Sequence, residues 1–370
     1  MSLSWKKAAA YAVGFGLVLA PLAACSSSGG TGGSGSKPLI GVFMPTTQLP
    51  RWNRDGDELK KNLEADGYQV SLQYADNKNE TQISQIETAI NDNAKVLVIA
   101  SIDGTTLGPT LQKAADKKIK VLAYDRLILN TPNVDNYATF DNEKVGTLQG
   151  QFIETALGLK DGKGPYNFEA FAGSPDDNNA RFFFKGAYDV LKPYVDSGKL
   201  VSVSGKWPKT LDDWKSIGIL GWGSDKAQAE MENRLNSFYT DKKVQVVLSP
   251  NDSLALGISK ALQNANYAGG ATFPVLTGQD ADQANTVNIL NGLQSMTVWK
   301  DTRELAKQAS KMVKQMVDGT TVDVNNTTDY NNGNKNVPSY LLTPVVVTKD
   351  NVESVLVQSG FWTKKDLGLS

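Results

Sequence analysis

Short apolar runs alternate along the chain with longer segments in which apolar residues recur every three or four positions. The run at 39–44 is followed by a segment that places Leu59 and Leu63 on one helical face. The run at 96–99 reads Val-Leu-Val-Ile, which is typical of a parallel strand covered on both faces. This pattern predicts a β-α-β-α-β-α-β series with short connections up to about residue 140.

A second series of similar size begins with a predicted helix at 143–157. It predicts strands at 167–172, 200–204, 244–249, 273–277 and 295–299, with helices between most of them, and an irregular connection at 206–223. A long helix at 304–317, an apolar segment at 341–347 and a helix near 351–358 complete the chain. Two such series predict an α/β fold of two doubly wound, flavodoxin- or Rossmann-like lobes with parallel sheets.

The first 36 residues lie outside this pattern. Lys6 and Lys7 precede an uncharged apolar run at 8–20, which is too short to span a bilayer comfortably and is typical of a signal peptide. Small residues then precede Cys25, as in a bacterial lipobox, where cleavage exposes the cysteine for lipid attachment. We predict a signal peptide over 1–24 and a flexible Gly/Ser linker over 25–36. The protein is then exported and lipid-anchored to the outer face of the cell membrane, or periplasmic.

Composition excludes several classes of function. The chain has no histidine and one cysteine, so Ser-His-Asp and Cys-His catalysis and His/Cys zinc sites are excluded. It contains no phosphate-binding loop and no calcium loop of the usual pattern, and we expect no metal and no cofactor. The net charge of −1 comes from well-mixed acids and bases, which argues against a nucleic-acid partner.

Polar side chains recur just after the predicted strands of both series. Ligands of open parallel sheets bind beyond the carboxyl ends of the strands, so these side chains are candidates for a binding site. Acids, amides and cations together satisfy sugar hydroxyls, which both donate and accept hydrogen bonds, and aromatic rings cover the apolar face of a pyranose. The candidates are Arg51, Trp52, Asp125, Arg126, Asp177, Asn179, Asn251, Asp280 and Lys300.

Several residues in this set could instead have a purely structural role. Asp141, Asp177 and Asp252 each stand before a predicted helix, where an aspartate is commonly the N-cap. Asp125 and Arg126 are adjacent and could form a structural ion pair with one another. The recurrence of neutral and charged groups at strand ends of both series favours a ligand site over a collection of unrelated structural roles.

At these residues the chain closely resembles the sugar-binding receptors of bacterial ABC transporters. The resemblance is to the xylose-binding and multiple-monosaccharide-binding branch of the type I periplasmic binding proteins, and it covers the chain from residue 37 onward. The motifs include Pro50-Arg51-Trp52, Tyr124-Asp125-Arg126, Asp141-Asn142-Glu143, Asp176-Asp177-Asn178-Asn179, Ser249-Pro250-Asn251-Asp252 and Gly278-Gln279-Asp280.

The resemblance implies a sugar site shared by the two lobes, with Lys300 at a hinge. It also implies a stacking tryptophan, for which Trp222 fits best. Trp207 and Trp214 stay open as substitutes, because the connection at 206–221 is longer than in the xylose receptors. The family fold implies three crossings between lobes, near residues 141, 300 and 325. The first lobe would then comprise residues 37–140 and 300–325, and the second residues 141–299 and 326–370.

The function implied is capture of a monosaccharide, such as xylose, glucose, galactose or arabinose, for an ABC importer. The expected partners are the permease and its ATPase, with a chemosensory or signalling receptor as a further one, and a monomer is expected. A secreted glycoside hydrolase using Asp125 and Asp280 is the alternative, but Arg126 beside Asp125 favours the charged carboxylate over a proton donor. A sugar-responsive repressor is excluded by the signal peptide, which stands where a DNA-binding domain would be needed.

Overall fold

Two parallel β-sheets organise the chain in the computed structural model, which describes residues 37–370. The predicted signal peptide, the linker and Cys25 lie outside the described residues. Within the described part of the chain, no helix combines the length and the apolar character needed to cross a membrane. The two-lobed parallel α/β architecture expected from the sequence is confirmed.

The first lobe is built on a six-stranded sheet. Its strands are β1 (Leu39–Met44), β2 (Gln69–Tyr74), β3 (Val96–Ile99), β4 (Lys120–Tyr124), β5 (Asn136–Phe140) and β11 (Ser339–Leu342). They lie in the order β11-β5-β4-β3-β1-β2, with every neighbouring pair parallel. Its helices are α1 (Pro50–Ala65), α2 (Asn79–Asn91), α3 (Gly108–Asp116) and α9 (Thr302–Asp318). All four residues of β3 are buried, because helices cover both faces of the sheet at its centre.

The second lobe is built on a four-stranded parallel sheet. Its strands are β6 (Tyr166–Ala170), β7 (Leu200–Ser202), β8 (Val246–Leu248) and β9 (Val275–Leu276). They lie in the order β7-β6-β8-β9. Its helices are α4 (Asn142–Ala156), α5 (Asn178–Asp196), α6 (Ser224–Phe238), α7 (Asp252–Asn264) and α8 (Gln283–Leu290). An antiparallel pair, β10 (Met296–Trp299) and β12 (Val345–Thr348), packs on this lobe through β10.

Two segments differ from the prediction. The irregular connection at 206–223 contains two short 3₁₀ segments, Leu211–Ile217 and Leu220–Trp222. The final helix expected near 351–358 is reduced to a single short helical turn, Glu353–Val357.

The third crossing between lobes lies near residues 343–344, and its predicted position near residue 325 is wrong. The polar loop that follows α9 stays with the first lobe, where the backbone N–H groups of Asn325 and Asn326 donate to the carbonyl of Ser339. Strand β11 then pairs in parallel with β5, so part of segment 326–370, expected in the second lobe, belongs to the first sheet. Only after β11 does the chain cross, and β12 pairs with β10.

Candidate functional site

A cavity lies where the carboxyl ends of strands from the two sheets face one another, and it contains about 300 Å³ of space between atoms. All ten predicted site residues line the cavity, and the lining also includes three residues that the sequence patterns did not single out. The lining residues are Leu49, Arg51, Trp52, Asp125, Arg126, Asp177, Asn179, Phe183, Trp222, Asn251, Gln279, Asp280 and Lys300.

Asp125 is held at the end of β4 by an unusual backbone conformation. Its φ is +58°, in the left-handed region, which aspartate tolerates better than most residues. Its N–H donates to the carbonyl of Ala138 at 2.7 Å, and its own carbonyl accepts from the hydroxyls of Tyr137 at 2.6 Å and Thr139 at 3.1 Å. These bonds to β5 fix the turn, so the carboxylate sits at the cavity wall.

Arg51 stands in the first turn of α1 and joins three carboxylates. Its guanidinium contacts Asp55 at 3.1 Å, Asp125 at 2.9 Å and, across the cavity, Asp280 at 3.6 Å. The guanidinium carbon also lies 4.4 Å from the centre of the Trp52 ring. Planar stacking and several ion pairs leave Arg51 little freedom, which is the preorganisation that a binding site needs.

Asp125 and Arg126 take different partners, so an ion pair between these two neighbours does not form. The guanidinium of Arg126 pairs with Asp177 of the second lobe at 3.0 Å and donates to the carbonyl of Ser101 at 3.1 Å. The carboxylate of Asp125 pairs with Arg51 instead. Adjacent residues at a strand end point in different directions, and each therefore meets its own partner.

Asp177 is both the N-cap of α5 and a residue of the cavity wall, so the two roles suggested for it by the sequence do not exclude one another. One carboxylate oxygen accepts from the N–H of Asn179 at 2.9 Å, which caps α5. The other accepts from the Trp222 indole at 3.2 Å and faces Arg126. Asn179 in turn donates to the carbonyl of Asp125 at 2.7 Å, so the start of α5 is bonded directly to the first lobe.

The N-cap of α7 is Asn251, and the predicted cap Asp252 is wrong by one residue. The Asn251 side chain accepts from the N–H of Leu254 at 3.0 Å. Asp252 is fully buried and accepts from Gln294 at 2.8 Å and from the hydroxyl of Thr297 at 3.0 Å. The cap fixes the Asn251 amide at the cavity, while Asp252 connects the start of α7 to the segment that contains Gln294 and Thr297.

Asp280 and Lys300 form the remaining wall. The Lys300 ammonium lies 3.1 Å from the Asp280 carboxylate and is 2% exposed. Asp280 has a φ of +97°, and its N–H donates to the carbonyl of Val298 at 2.9 Å. Lys300 directly follows β10, where the chain passes to α9 of the first lobe, and its side chain lines the cavity.

Trp222 is the tryptophan of the long connection that reaches the cavity. Its ring packs edge to face on Phe183, with ring centres 6.3 Å apart. Trp207 instead stacks on Tyr188 with ring centres 5.2 Å apart, and Trp214 is buried in the core of the second lobe. The alternatives Trp207 and Trp214 are therefore placed away from the cavity.

The charges of the cavity balance, since three carboxylates and three cations line it. Burial alone would raise the pKa of Asp125, but Arg51, Lys300 and Arg126 outweigh burial and hold that pKa below its ordinary value. For Asp177, burial raises the pKa more than Arg126 lowers it. A depressed pKa keeps Asp125 ionised as a hydrogen-bond acceptor and disfavours its use as a proton donor.

Two of the three additional lining residues carried weak sequence signals. Gln279 lies between Gly278 and Asp280 in a strand-end motif, and Phe183 follows Asn179 by four positions, on the same face of α5. Leu49 precedes Pro50, the first residue of α1, and had no distinguishing signal. The i,i+4 spacing from Asn179 was the clearest of these signals, because it places Phe183 on the same face of α5 as a predicted site residue.

Gly173→Ala is expected to weaken ligand binding by about tenfold or more, because a β-carbon there would overlap the ring of Trp222 and push it out of place. Isothermal titration calorimetry measures the effect. Gly108→Ala is the control, since the nearest atom to a β-carbon there is 3.9 Å away. Unchanged affinity in Gly173→Ala would show that the Trp222 ring does not contribute to binding.

Two parallel α/β lobes with a polar cavity at the carboxyl ends of their strands are typical of a solute-binding protein of the type I fold. The family model described as "Periplasmic binding protein domain" matches residues 40–321, and the chain belongs to this family.

Curated relatives and solved structures agree with this assignment. The chain is 49% identical over 360 residues to the multiple sugar-binding periplasmic receptor ChvE of Rhizobium radiobacter, covering 97% of this chain and 98% of that protein. It is 38% identical over 328 residues to the D-xylose-binding periplasmic protein of Escherichia coli, covering 89% and 92%. A solute-binding protein from Clostridium phytofermentans, solved with bound β-D-glucose, is 49% identical with a TM-score of 0.85, covering 89% and 99%. These relatives are binding proteins.

Proposed function

We propose that this chain is a receptor that captures a neutral monosaccharide in the cavity between its lobes and delivers it to an ABC importer. The observation that carries the proposal is the lining of the cavity. Three carboxylates, three cations and three amides face one small space together with the rings of Trp52 and Trp222. The balanced charges suit a neutral ligand, and the density of donors and acceptors suits one with many hydroxyl groups.

Charge-assisted hydrogen bonds would supply much of the affinity and the discrimination. A sugar hydroxyl can donate to Asp125 or Asp280 and accept from Arg51 or Lys300, and such bonds are stronger than those between neutral groups. A wrong epimer would leave one of these buried groups without a partner, at a cost of about 1–3 kcal/mol.

Contacts between lobes around the cavity support delivery through hinge closure. Arg126 pairs with Asp177, and Asn179 donates to the Asp125 carbonyl, so both lobes contribute to the same polar network. A ligand that bonds to both lobes stabilises their closed arrangement, which a membrane permease can distinguish from the open one. The permease and its ATPase are therefore the proposed partners. A signalling receptor that binds the same closed arrangement of the lobes is a further proposed partner.

The ligand we propose is an aldose, with D-xylose and D-glucose the first choices. One relative is named for multiple sugars, one for D-xylose, and one solved neighbour holds β-D-glucose. We also propose that Cys25 carries a lipid anchor after removal of residues 1–24, so that the receptor stays at the outer face of the membrane.

A calorimetric panel tests the proposal. We expect D-xylose and D-glucose to bind, and D-glucuronate and D-glucosamine to bind at least about 100-fold more weakly than D-glucose. A net charge brought into a balanced, buried cavity stays uncompensated, which is costly. Binding of either charged sugar as tight as that of glucose, or no binding of any neutral aldose, would overturn the proposal. Turnover of aryl glycosides would instead identify a glycoside hydrolase.

A further inference from the structure

Arg54 connects the two lobes at a place outside the cavity. It lies one helical turn after Arg51 on α1 of the first lobe, but its guanidinium contacts three residues of the second lobe. The carboxylate of Asp282 is 3.3 Å away, and the ring centres of Phe361 and Trp362 are 4.5 Å and 4.7 Å from the guanidinium carbon. Neither Arg54 nor these partners line the cavity.

The aromatic residues that contact the Arg54 guanidinium are fixed by other contacts within the second lobe. Phe361 is buried in an apolar cluster with Val352 and Leu356. The indole of Trp362 donates to the carbonyl of Ala281 at 2.9 Å, so its ring is fixed against the loop that also carries Asp282. Aromatic rings and a carboxylate arranged in this way suit the flat guanidinium group in particular.

The Arg54 contact is geometrically coupled to the cavity. Arg51 and Arg54 are three positions apart on one helix, and they face Asp280 and Asp282, which are two positions apart on one loop. Movement of α1 away from this loop would break both pairs at once. The side chains of Arg54 and Asp282 are 23% and 11% exposed, so the pair is partly buried. Burial lowers the pKa of Arg54, and burial with the charge of Asp280 raises the pKa of Asp282 to about 6.

We infer that Arg54, together with Asp282, Phe361 and Trp362, is a closure latch that raises the affinity for every sugar equally without contacting the sugar. The inference rests on the proposed function of sugar capture. Apparent affinity depends on the fraction of molecules in the binding-competent state, and a contact made only between closed lobes increases that fraction. Because the latch lies outside the cavity, its contribution is the same for each ligand.

Arg54→Ala tests the latch. We expect the dissociation constants for D-glucose and D-xylose to rise together by about tenfold, which corresponds to about 1.4 kcal/mol, with their ratio unchanged. Arg54→Lys keeps a charge opposite Asp282 but loses the planar stacking, and we expect an intermediate effect. Lys61→Ala is the matched control, since Lys61 lies on the same helix, is exposed, and pairs with Glu58 of that helix. Isothermal titration calorimetry supplies all three measurements.

A second measurement needs no sugar. Small-angle X-ray scattering of sugar-free Arg54→Ala is expected to show a larger radius of gyration than the wild-type protein, at an unchanged thermal midpoint. Wild-type affinity in Arg54→Ala, or a glucose-to-xylose ratio shifted more than about threefold, would overturn the latch. If the wild-type protein bound no aldose, the proposed function would fail, while the scattering comparison would still decide whether Arg54 holds the lobes closed.

Discussion

Asp125→Ala is expected to weaken monosaccharide binding by at least about 100-fold, the largest effect on affinity that we predict. The carboxylate is buried at the cavity wall and is held ionised by the cations around it. Its loss removes a charge-assisted acceptor and leaves three cavity cations facing two carboxylates, a combined cost of about 3–5 kcal/mol on binding. Isothermal titration calorimetry with D-glucose and D-xylose measures the loss.

The sugar-free protein is expected to keep most of its stability in this variant. Arg51 retains Asp55 at 3.1 Å and Asp280 at 3.6 Å, so its guanidinium is not left unpaired. The carbonyl of residue 125, which accepts from Asn179, is unaffected by the change of side chain. Asp125→Asn is the matched variant, because asparagine also tolerates the left-handed backbone at φ +58°. Normal affinity in both variants would contradict the assignment of the cavity.

Asn251 needs a different control, because its side chain is an N-cap. Asn251→Ala would remove both the cap and the amide at the cavity, and the lost cap alone costs about 1 kcal/mol of stability. Asn251→Ser keeps a capping hydroxyl but withdraws the amide from the cavity. Weaker binding in Asn251→Ser at an unchanged thermal midpoint would therefore isolate the contribution of the amide to the ligand.

Gly146→Ala is expected to produce the largest loss of stability, about 3 kcal/mol or more. Helices α4 and α5 pack backbone to backbone, and a β-carbon at residue 146 would overlap the carbonyl oxygen of Phe183 and lie 2.9 Å from the nitrogen of Ala187. Backbone atoms of a packed helix cannot rotate away, so the helices must separate. Differential scanning calorimetry is expected to show a midpoint lower by about 4 °C or more.

A second glycine and a control make this test specific. Gly186 on α5 is packed in the same way against α4, where a β-carbon would lie 2.6 Å from the nitrogen of Thr147, and its alanine variant is expected to behave alike. Gly108→Ala is expected to be neutral or stabilising by up to about 1 kcal/mol, because alanine favours a helix where space is available. Equal midpoints in all three variants would show that α4 and α5 can separate without cost.

The same packing links stability to the site. Helix α5 begins with the cap Asp177 and carries Asn179 and Phe183 into the cavity. A displaced α5 would therefore move one wall of the cavity. The close contact of α4 with α5 explains why small residues stand at 146 and 186, a requirement that periodicity of apolar residues does not reveal.

The sequence predicted the elements because their signals are local. The uninterrupted apolar run of β3 indicated a covered strand, and the long helix predicted at 304–317 corresponds to α9, which buries Leu305, Ala309 and Met312. The ends of strands were also predictable, and all ten predicted site residues line one cavity because parallel strands place their carboxyl ends at one edge.

The sequence-based predictions were wrong where the position of an element depends on contacts between residues distant in the chain. The apolar segment predicted at 341–347 contains the end of β11 and the start of β12. Pairing of β11 with β5 keeps its first part in the first lobe, so the third crossing lies after β11. The cap of α7 was misplaced by one residue, because Asp252 has a set of buried partners that the local sequence does not show.

By itself, then, the sequence determined two parallel α/β lobes and a polar edge on each, since periodicity and strand ends are properties of neighbouring residues. Tertiary structure alone decided which groups pair across the lobes. Arg126 meets Asp177 and not its neighbour Asp125, Trp222 reaches the cavity where Trp207 does not, and Arg54 meets Asp282. The physical reason is that ion pairs and ring contacts act over a few ångströms, so folding must bring distant residues together before their partners are defined.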